Sequence, residues 1–281
     1  MLIGGIALLS LLLSGLLTWT AGGFESLGWI WQLPCIFAGS VLGLVILAFV
    51  FLLIICGIVD QKKPQEKDSK FYRTVLHLYV DAILPLARVT VKTQGMEKTP
   101  KGRRFMLVCN HIDNIDPAFL LTCFRDSQLA FISKREVQSY FLVGKMMHKI
   151  LCQPINREND REALKTILKC IQILKEDKAS IAVFPEGYIH KDMKLHHFRS
   201  GVFKIATKTK VPIVVCTIRD TRFVLPKLMK LQPSSVDVRL LQVIEPEEYE
   251  NMTTVELAEQ IYQTMAQDLG PELVSQEEEN A

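Results

Sequence analysis

Residues 107–119 read LVCNHIDNIDPAF. An apolar run stops at Asn110-His111, and Asp116-Pro117 follows five residues after the histidine. Asp favours the helix cap and Pro the first helical position, so the stretch predicts a strand, a short turn and a helix. The same alternation recurs down the chain. VTVKTQG, RFMLVCN, LAFIS, CQPINR, SIAVFPEG, VPIVVCTI and SVDVRLLQVI read as strands. FYRTVLHLYVDAILPLARV, KREVQSYFLVGKMMHKIL, ENDREALKTILKCIQILKED, SGVFKIATKT and TTVELAEQIYQTMAQDL read as helices. In the third of these, Ala163, Leu164, Ile167, Leu168, Ile171 and Leu174 mark one apolar face. Strands alternating with helices predict an α/β domain with a largely parallel sheet flanked by helices.

Residues 1–59 contain no Lys or Arg and a single acid, Glu25. LIGGIALLSLLLSGLLTWTA and PCIFAGSVLGLVILAFVFLLIICGIV each reach the roughly 20 apolar residues that span a bilayer. Trp29 and Trp31, in the joint between them, suit a membrane–water interface. The alternative for the first segment, a cleaved signal peptide, lacks its basic n-region and calls for a shorter apolar run. Lys62, Lys63, Lys67, Lys70 and Arg73 follow the second segment, which the positive-inside rule places in the cytosol. The expected organisation is therefore a transmembrane hairpin over 1–59, a linker over 60–70, a cytosolic globular domain over 71–270 and a disordered acidic tail over 271–281.

Charge is unevenly spread. Residues 60–242 carry all 33 Lys and Arg against 18 Asp and Glu, whereas 243–281 carry 11 acids and no Lys or Arg. A basic body beside a bilayer points to anionic lipid or a phosphorylated substrate. No nucleic-acid-binding module accompanies the charge. The seven cysteines form no CxxC pair and their number is odd, which reads as reduced thiols and not as a disulfide or zinc framework.

In α/β domains functional groups gather where strands end. Three strand ends here are unusual: His111 with Asp116, Asn156-Arg157, and Pro185-Glu186-Gly187. His111 suits proton removal near neutral pH, and Asp116 would fix its tautomer if the loop curls back. Two other readings compete: Asp116 as a helix cap beside an incidental histidine, and a metal site of His111, Asp113 and Asp116. No HEXXH or GxSxG motif is present, so on the base reading the nucleophile comes from the substrate.

NHIDNID (110–116) matches the NHxxxxD signature of the glycerolipid acyltransferases, the family that contains 1-acylglycerol-3-phosphate acyltransferase. PINR (154–157), VFPEG (183–187) and VPIV (211–214) resemble that family's second, third and fourth blocks, in the same order. SKRE (133–136) is similar to its lysine-containing segment, and FRSGVFKIA (198–206) to the stretch after the third block.

The resemblance implies acyl transfer from a thioester, on CoA or acyl carrier protein, to the hydroxyl of a lysophospholipid, with no further cofactor and no metal. The favoured acceptor is 1-acylglycerol 3-phosphate, giving phosphatidic acid in phospholipid biosynthesis. His111 and Asp116 would be catalytic. Asn110, Lys134, Arg135, Arg157, Glu186 and Gly187 would form the substrate site, with Arg157 on the acceptor phosphate. Two departures stand out: Tyr188-Ile189-His190 replaces the usual Thr-Arg-Ser after the third block, and Asp113 stands where a serine is common. Lys191, His190 and Arg199 are the candidates for the missing charge. The rival readings are another lysophospholipid or lyso-amino-lipid acceptor, a non-catalytic lipid-binding membrane protein, and a metal-dependent phosphohydrolase.

Overall fold

Every side chain of the strand Met106–Cys109 is buried. Met106 and Val108 join one apolar cluster, Leu107 and Cys109 another. Period-two alternation with both faces buried belongs to a sheet covered by helices on both sides. The computed structural model, which describes residues 1–25 and 27–275, has that arrangement.

Seven strands, β1 (Val89–Gln94), β2 (Met106–Cys109), β3 (Leu129–Lys134), β4 (Gln153–Ile155), β5 (Ser180–Val183), β6 (Ile213–Arg219) and β7 (Ser234–Ile244), lie in the order β1-β7-β6-β2-β5-β3-β4. β6, β2, β5, β3 and β4 run parallel, so their carboxyl ends share one edge. β7 is antiparallel to β6 and parallel to β1. The sheet is thus mostly parallel, with a reversed pair on one side. β2 occupies its middle position.

The helices are α1 (Leu2–Thr20), α2 (Trp29–Gly57), α3 (Lys70–Leu86), α4 (Asp116–Cys123), α5 (Phe141–Lys149), α6 (Asp160–Lys175), α7 (Lys204–Thr209), α8 (Val224–Met229), α9 (Pro246–Tyr249) and α10 (Thr254–Leu269). Side chains of α6, α7 and α10 fill one cluster, and those of α3, α4, α5 and α8 join the other. Local chemistry marks the starts. Asn159 accepts from the Glu162 N–H at 3.1 Å to cap α6, and Thr253 with Glu256 forms a capping box on α10.

Three expectations are corrected. The helix read over 134–151 is broken: a 3₁₀ turn, Arg135–Ser139, and an extended Tyr140 precede α5. Gly144 allows this, because a Cβ there would sit 2.2 Å from the Gln138 carbonyl oxygen. The buried face of α6 is rotated from the expected one. Cys170 and Ile173 are buried with Ile167, Ile171 and Leu174, while Leu164 and Leu168 are exposed. The tail read as disordered from Pro271 is ordered in its first part. Leu195 N–H donates to the Leu273 carbonyl at 2.8 Å, and Ser275 N–H donates to the Leu195 carbonyl at 2.9 Å. Residues 276–281 of that tail lie outside the described residues.

The chain divides into compact units between Lys63 and Pro64, inside the segment read as a linker. In the first unit α1 and α2 pack together, and each is long and apolar enough to cross a bilayer. Ser10, Ser14 and Thr18 are the buried residues of α1, small side chains at four-residue spacing that let helix backbones approach.

In the second unit the Arg73 guanidinium is buried, pairs with Asp68 at 2.6 Å and donates to the Leu129 carbonyl from both terminal nitrogens at 3.1 Å. This ties the start of α3 to the start of β3. Asp68→Ala would leave the buried cation uncompensated, and a loss of about 3–5 kcal/mol is expected. The midpoint of thermal unfolding of the detergent-solubilised chain should then fall by roughly 10 °C. An unchanged midpoint would show that the pair carries no stability.

Candidate active site

β2 delivers Asn110 and His111 to the shared carboxyl edge. Asn110 is buried, and both ends of its amide are engaged. Its Oδ1 accepts from the Ile218 N–H at 2.8 Å, and its Nδ2 donates to the Ile218 carbonyl at 3.0 Å. Asn110, expected among the substrate-binding residues, therefore laces β2 to β6 and holds the base of the loop.

The loop curls back as the base reading requires. Asp116 is fully buried, and its Oδ2 lies 2.8 Å from His111 Nδ1. The same oxygen accepts from the N–H groups of Ile112 at 2.7 Å and Asp113 at 2.9 Å. Ile115 occupies the cap position of α4 without a side-chain bond, so Asp116 is no helix cap. An ionised carboxylate only accepts hydrogen bonds. Nδ1 must then carry the proton, and Nε2 keeps its lone pair. The imidazole stacks on Phe184 with centroids 4.0 Å apart, which fixes the ring plane. Asp113 turns its Oδ1 to the Ile115 N–H at 3.2 Å. Burial, then the nearby Asp116 charge, push its carboxyl above the ordinary value.

The end of β5 supplies the second carboxyl group. Glu186 is 3% exposed. Its Oε1 accepts from the His111 N–H at 2.8 Å and its Oε2 from the His196 N–H at 3.0 Å. Burial pushes Glu186 up to about 8; the two N–H bonds oppose this, and the charges of Asp116 and Asp192 add to it. Gly187 has φ +83, and a Cβ there would meet Arg199 Nε at 3.1 Å. The turn thus needs a residue that tolerates both the backbone conformation and the close approach.

Tyr188 follows directly. The Arg157 guanidinium carbon lies 5.0 Å from its ring centroid, and that of Arg199 lies 5.1 Å away. Lys134 and Arg135 are placed differently from expectation. Both are exposed, with Lys134 3.2 Å from Glu136 and Arg135 3.5 Å from Glu162. Acids on the surface already face them, whereas Arg157 is half-buried beside the tyrosine.

A histidine held by a buried aspartate at the carboxyl edge of a mostly parallel sheet can accept a proton from a bound hydroxyl. Residues 90–219 match the family model described as Acyltransferase. A probable 1-acyl-sn-glycerol-3-phosphate acyltransferase of Mycoplasma pneumoniae is 32% identical over 186 residues, 64% of this chain and 66% of that relative. The chain belongs to the glycerolipid acyltransferase family. A chloroplastic 1-acyl-sn-glycerol-3-phosphate acyltransferase of Brassica napus is 30% identical to this family member over 159 residues, 56% of this chain and 45% of the relative. The chain thus spans less than two thirds of the length of these relatives. The crystal structure of the 1-acyl-sn-glycerophosphate acyltransferase PlsC from Thermotoga maritima shares the fold, with a TM-score of 0.60 at 22% identity over 78% of this chain and 87% of that one.

In this family member the structure brings His111, Asp116, Glu186 and Gly187 together, and sets Arg157 beside them through Tyr188. Sequence reasoning missed Phe184 and the His196 N–H. It also missed Tyr188 as a contact residue. The only signal for the last was the departure from the third block's usual continuation.

Glu186 sets a pH dependence whose sign is fixed. Its folded value of about 8 exceeds the ordinary 4.5, so between these values the folded chain retains a proton that the unfolded chain has released. Its contribution to stability is fully present below 4.5 and is lost as pH rises through about 8. Glu186→Gln, which cannot titrate, should show a flatter fall in unfolding midpoint across that window than the parent chain. Parallel curves would mean that Glu186 titrates at its ordinary value.

Proposed function

We propose that this chain transfers an acyl group from an acyl thioester, on CoA or acyl carrier protein, to the hydroxyl of 1-acylglycerol 3-phosphate, giving phosphatidic acid. The observation that carries the reading is the 2.8 Å contact between His111 Nδ1 and Asp116 Oδ2, which leaves Nε2 as a free base. Nε2 takes the hydroxyl proton while the oxygen attacks the thioester carbonyl. The C–S bond then breaks, and the proton passes from His111 to the departing thiolate. Asp116 stabilises the imidazolium in between. A thioester is already activated, so no acyl-enzyme, metal or prosthetic group is needed. Cys109, the thiol next to the motif, is fully buried, and burial holds it well above the usual thiol range, which removes it as a nucleophile.

Arg157 holds the acceptor phosphate in this reading, since a guanidinium fork matches phosphate oxygens. Glu186 positions His111 through its backbone, and Gly187 keeps the floor of the site open. The names of the relatives support the choice of acceptor. Lys62, Lys63, Lys67 and Lys70 are exposed just past α2, which supports a cytosolic catalytic unit on a two-span anchor. Arg73, buried on Asp68, drops out of that count.

The test is thiol release from an acyl-CoA by the membrane-embedded chain, with and without 1-acylglycerol 3-phosphate. Release should depend on the acceptor and fall by about 10²–10⁴-fold in His111→Ala. Arg157→Ala should raise the acceptor KM by roughly 10–100-fold, the worth of a charge-assisted hydrogen bond. Release that ignores the acceptor, or survives in His111→Ala, would overturn the reading.

A further inference from the structure

The connection from β6 to β7 leaves the sheet at the same carboxyl edge as the base. It begins just past Ile218, whose N–H and carbonyl hold the Asn110 amide beside His111. Its sequence, TRFVLPKLMKLQP (221–233), holds Arg222, Lys227 and Lys230 and no acid. Val224 is buried and Leu228 packs against the same cluster, which accounts for the inner side of α8. The outer side stays apolar. Phe223 and Leu225 are exposed, Met229 is 80% exposed and Leu231 75%. Single exposed apolar side chains need no explanation, but a group of them on a folded surface calls for a partner.

Basic side chains share that surface. Arg222 Cζ lies 4.6 Å and Lys227 Nζ 5.9 Å from the Phe223 ring centroid. Among the described residues none of Arg222, Lys227 and Lys230 has a carboxylate within ion-pair distance, whereas Arg219 and Arg239 on the neighbouring strands each have one. The end of α3 joins the patch. Arg88 Nη1 donates to the Leu231 carbonyl at 2.8 Å, and the Ser234 N–H donates to the Arg88 carbonyl at 3.1 Å. Exposed Leu86 comes with it.

Charge and chemistry choose the occupant. A second copy seated here would set Arg222, Lys227 and Lys230 against their own like. Residues 1–59 hold Glu25 as their single acid, so α1 and α2 lack the charge to match the patch. Residues 276–281 hold three glutamates but no large apolar side chain. An anionic leaflet offers both parts: acidic head groups for the cations and an acyl boundary for the apolar side chains. Lys and Arg stems can lie along that boundary while their charged ends stay among the head groups.

We propose that residues 221–231, with Leu86 and Arg88, dock the second unit on an anionic lipid surface, through a contact separate from α1 and α2. Docking there turns the carboxyl edge of the sheet, with His111, toward the head groups. The inference goes beyond acyl transfer and does not rest on it, because the contact is a binding surface whose test needs no turnover.

The full-length chain is reconstituted singly into nanodiscs of phosphatidylcholine, alone or mixed with phosphatidylglycerol, and backbone hydrogen exchange is read over 221–232. Each basic side chain near an anionic leaflet favours docking by about fivefold. Exchange over this stretch should therefore slow by roughly tenfold or more when phosphatidylglycerol is present. α6, on the other face of the sheet, should exchange equally in both discs. A variant carrying Arg222→Gln, Lys227→Gln and Lys230→Gln should keep the phosphatidylcholine rate in both. One carrying Leu225→Ser and Met229→Ser should lose most of the slowing. The substituted side chains lie outside the core, and unfolding midpoints confirm that each variant is folded. Equal exchange over 221–232 in the two discs would overturn the docking, and so would slowing that survives the loss of the three cations. Exchange that slows with protein concentration in detergent micelles would assign the patch to a second copy instead. Equally slow exchange in dilute micelles would assign it to a cover from the chain itself.

Discussion

One carboxylate oxygen organises the catalytic edge. Oδ2 of Asp116 accepts from His111 Nδ1, Ile112 N–H and Asp113 N–H. A buried carboxylate without partners would cost several kcal/mol, so those donors are drawn to it as the chain folds. That gathering closes the loop between β2 and α4 into a ring and sets the imidazole's tautomer in the same act. The loop geometry and the chemistry of the base are thus one constraint.

Around that ring, charge is layered. The acids, Asp116 and Glu186, are buried and bond to backbone N–H groups. The arginines stand outward of them on Tyr188. Glu186 also couples two strand ends, because the N–H groups it accepts belong to His111 after β2 and His196 after β5. Asn110 makes the equivalent tie from β2 to β6. β2 is therefore anchored on both sides at the point where its histidine emerges.

Much of this was legible because it obeys short-range rules. The strands of the sheet and the existence of α6 follow from periodicity, and the pairing of His111 with Asp116 was one of three readings that the spacing of one loop allowed. What was not legible depends on contacts between distant segments. Asn110 looks like a substrate ligand until Ile218, 108 residues away, takes both ends of its amide. Lys134 and Arg135 look like phosphate ligands until Glu136 and Glu162 are seen facing them. The break before α5 arises from Gly144 packing on the Gln138 backbone, a fit that no propensity encodes. Leu164 and Leu168 belonged to the regular apolar face of α6, but the helix settles with Cys170 and Ile173 inward.

Leu195 is fastened on both its N–H and its carbonyl by residues 273 and 275. It sits beside His196, in the same loop as Arg199. During synthesis the chain emerges from its N-terminal end, and domains begin to fold as they appear. His111, Asp116 and Glu186 are all made well before the segment that pins this loop. The segment that pins this loop is therefore the last of these parts to be synthesised. A chain ending before Leu273 would keep every residue that holds His111 and Asp116 while leaving the Leu195 N–H and carbonyl without these two backbone partners.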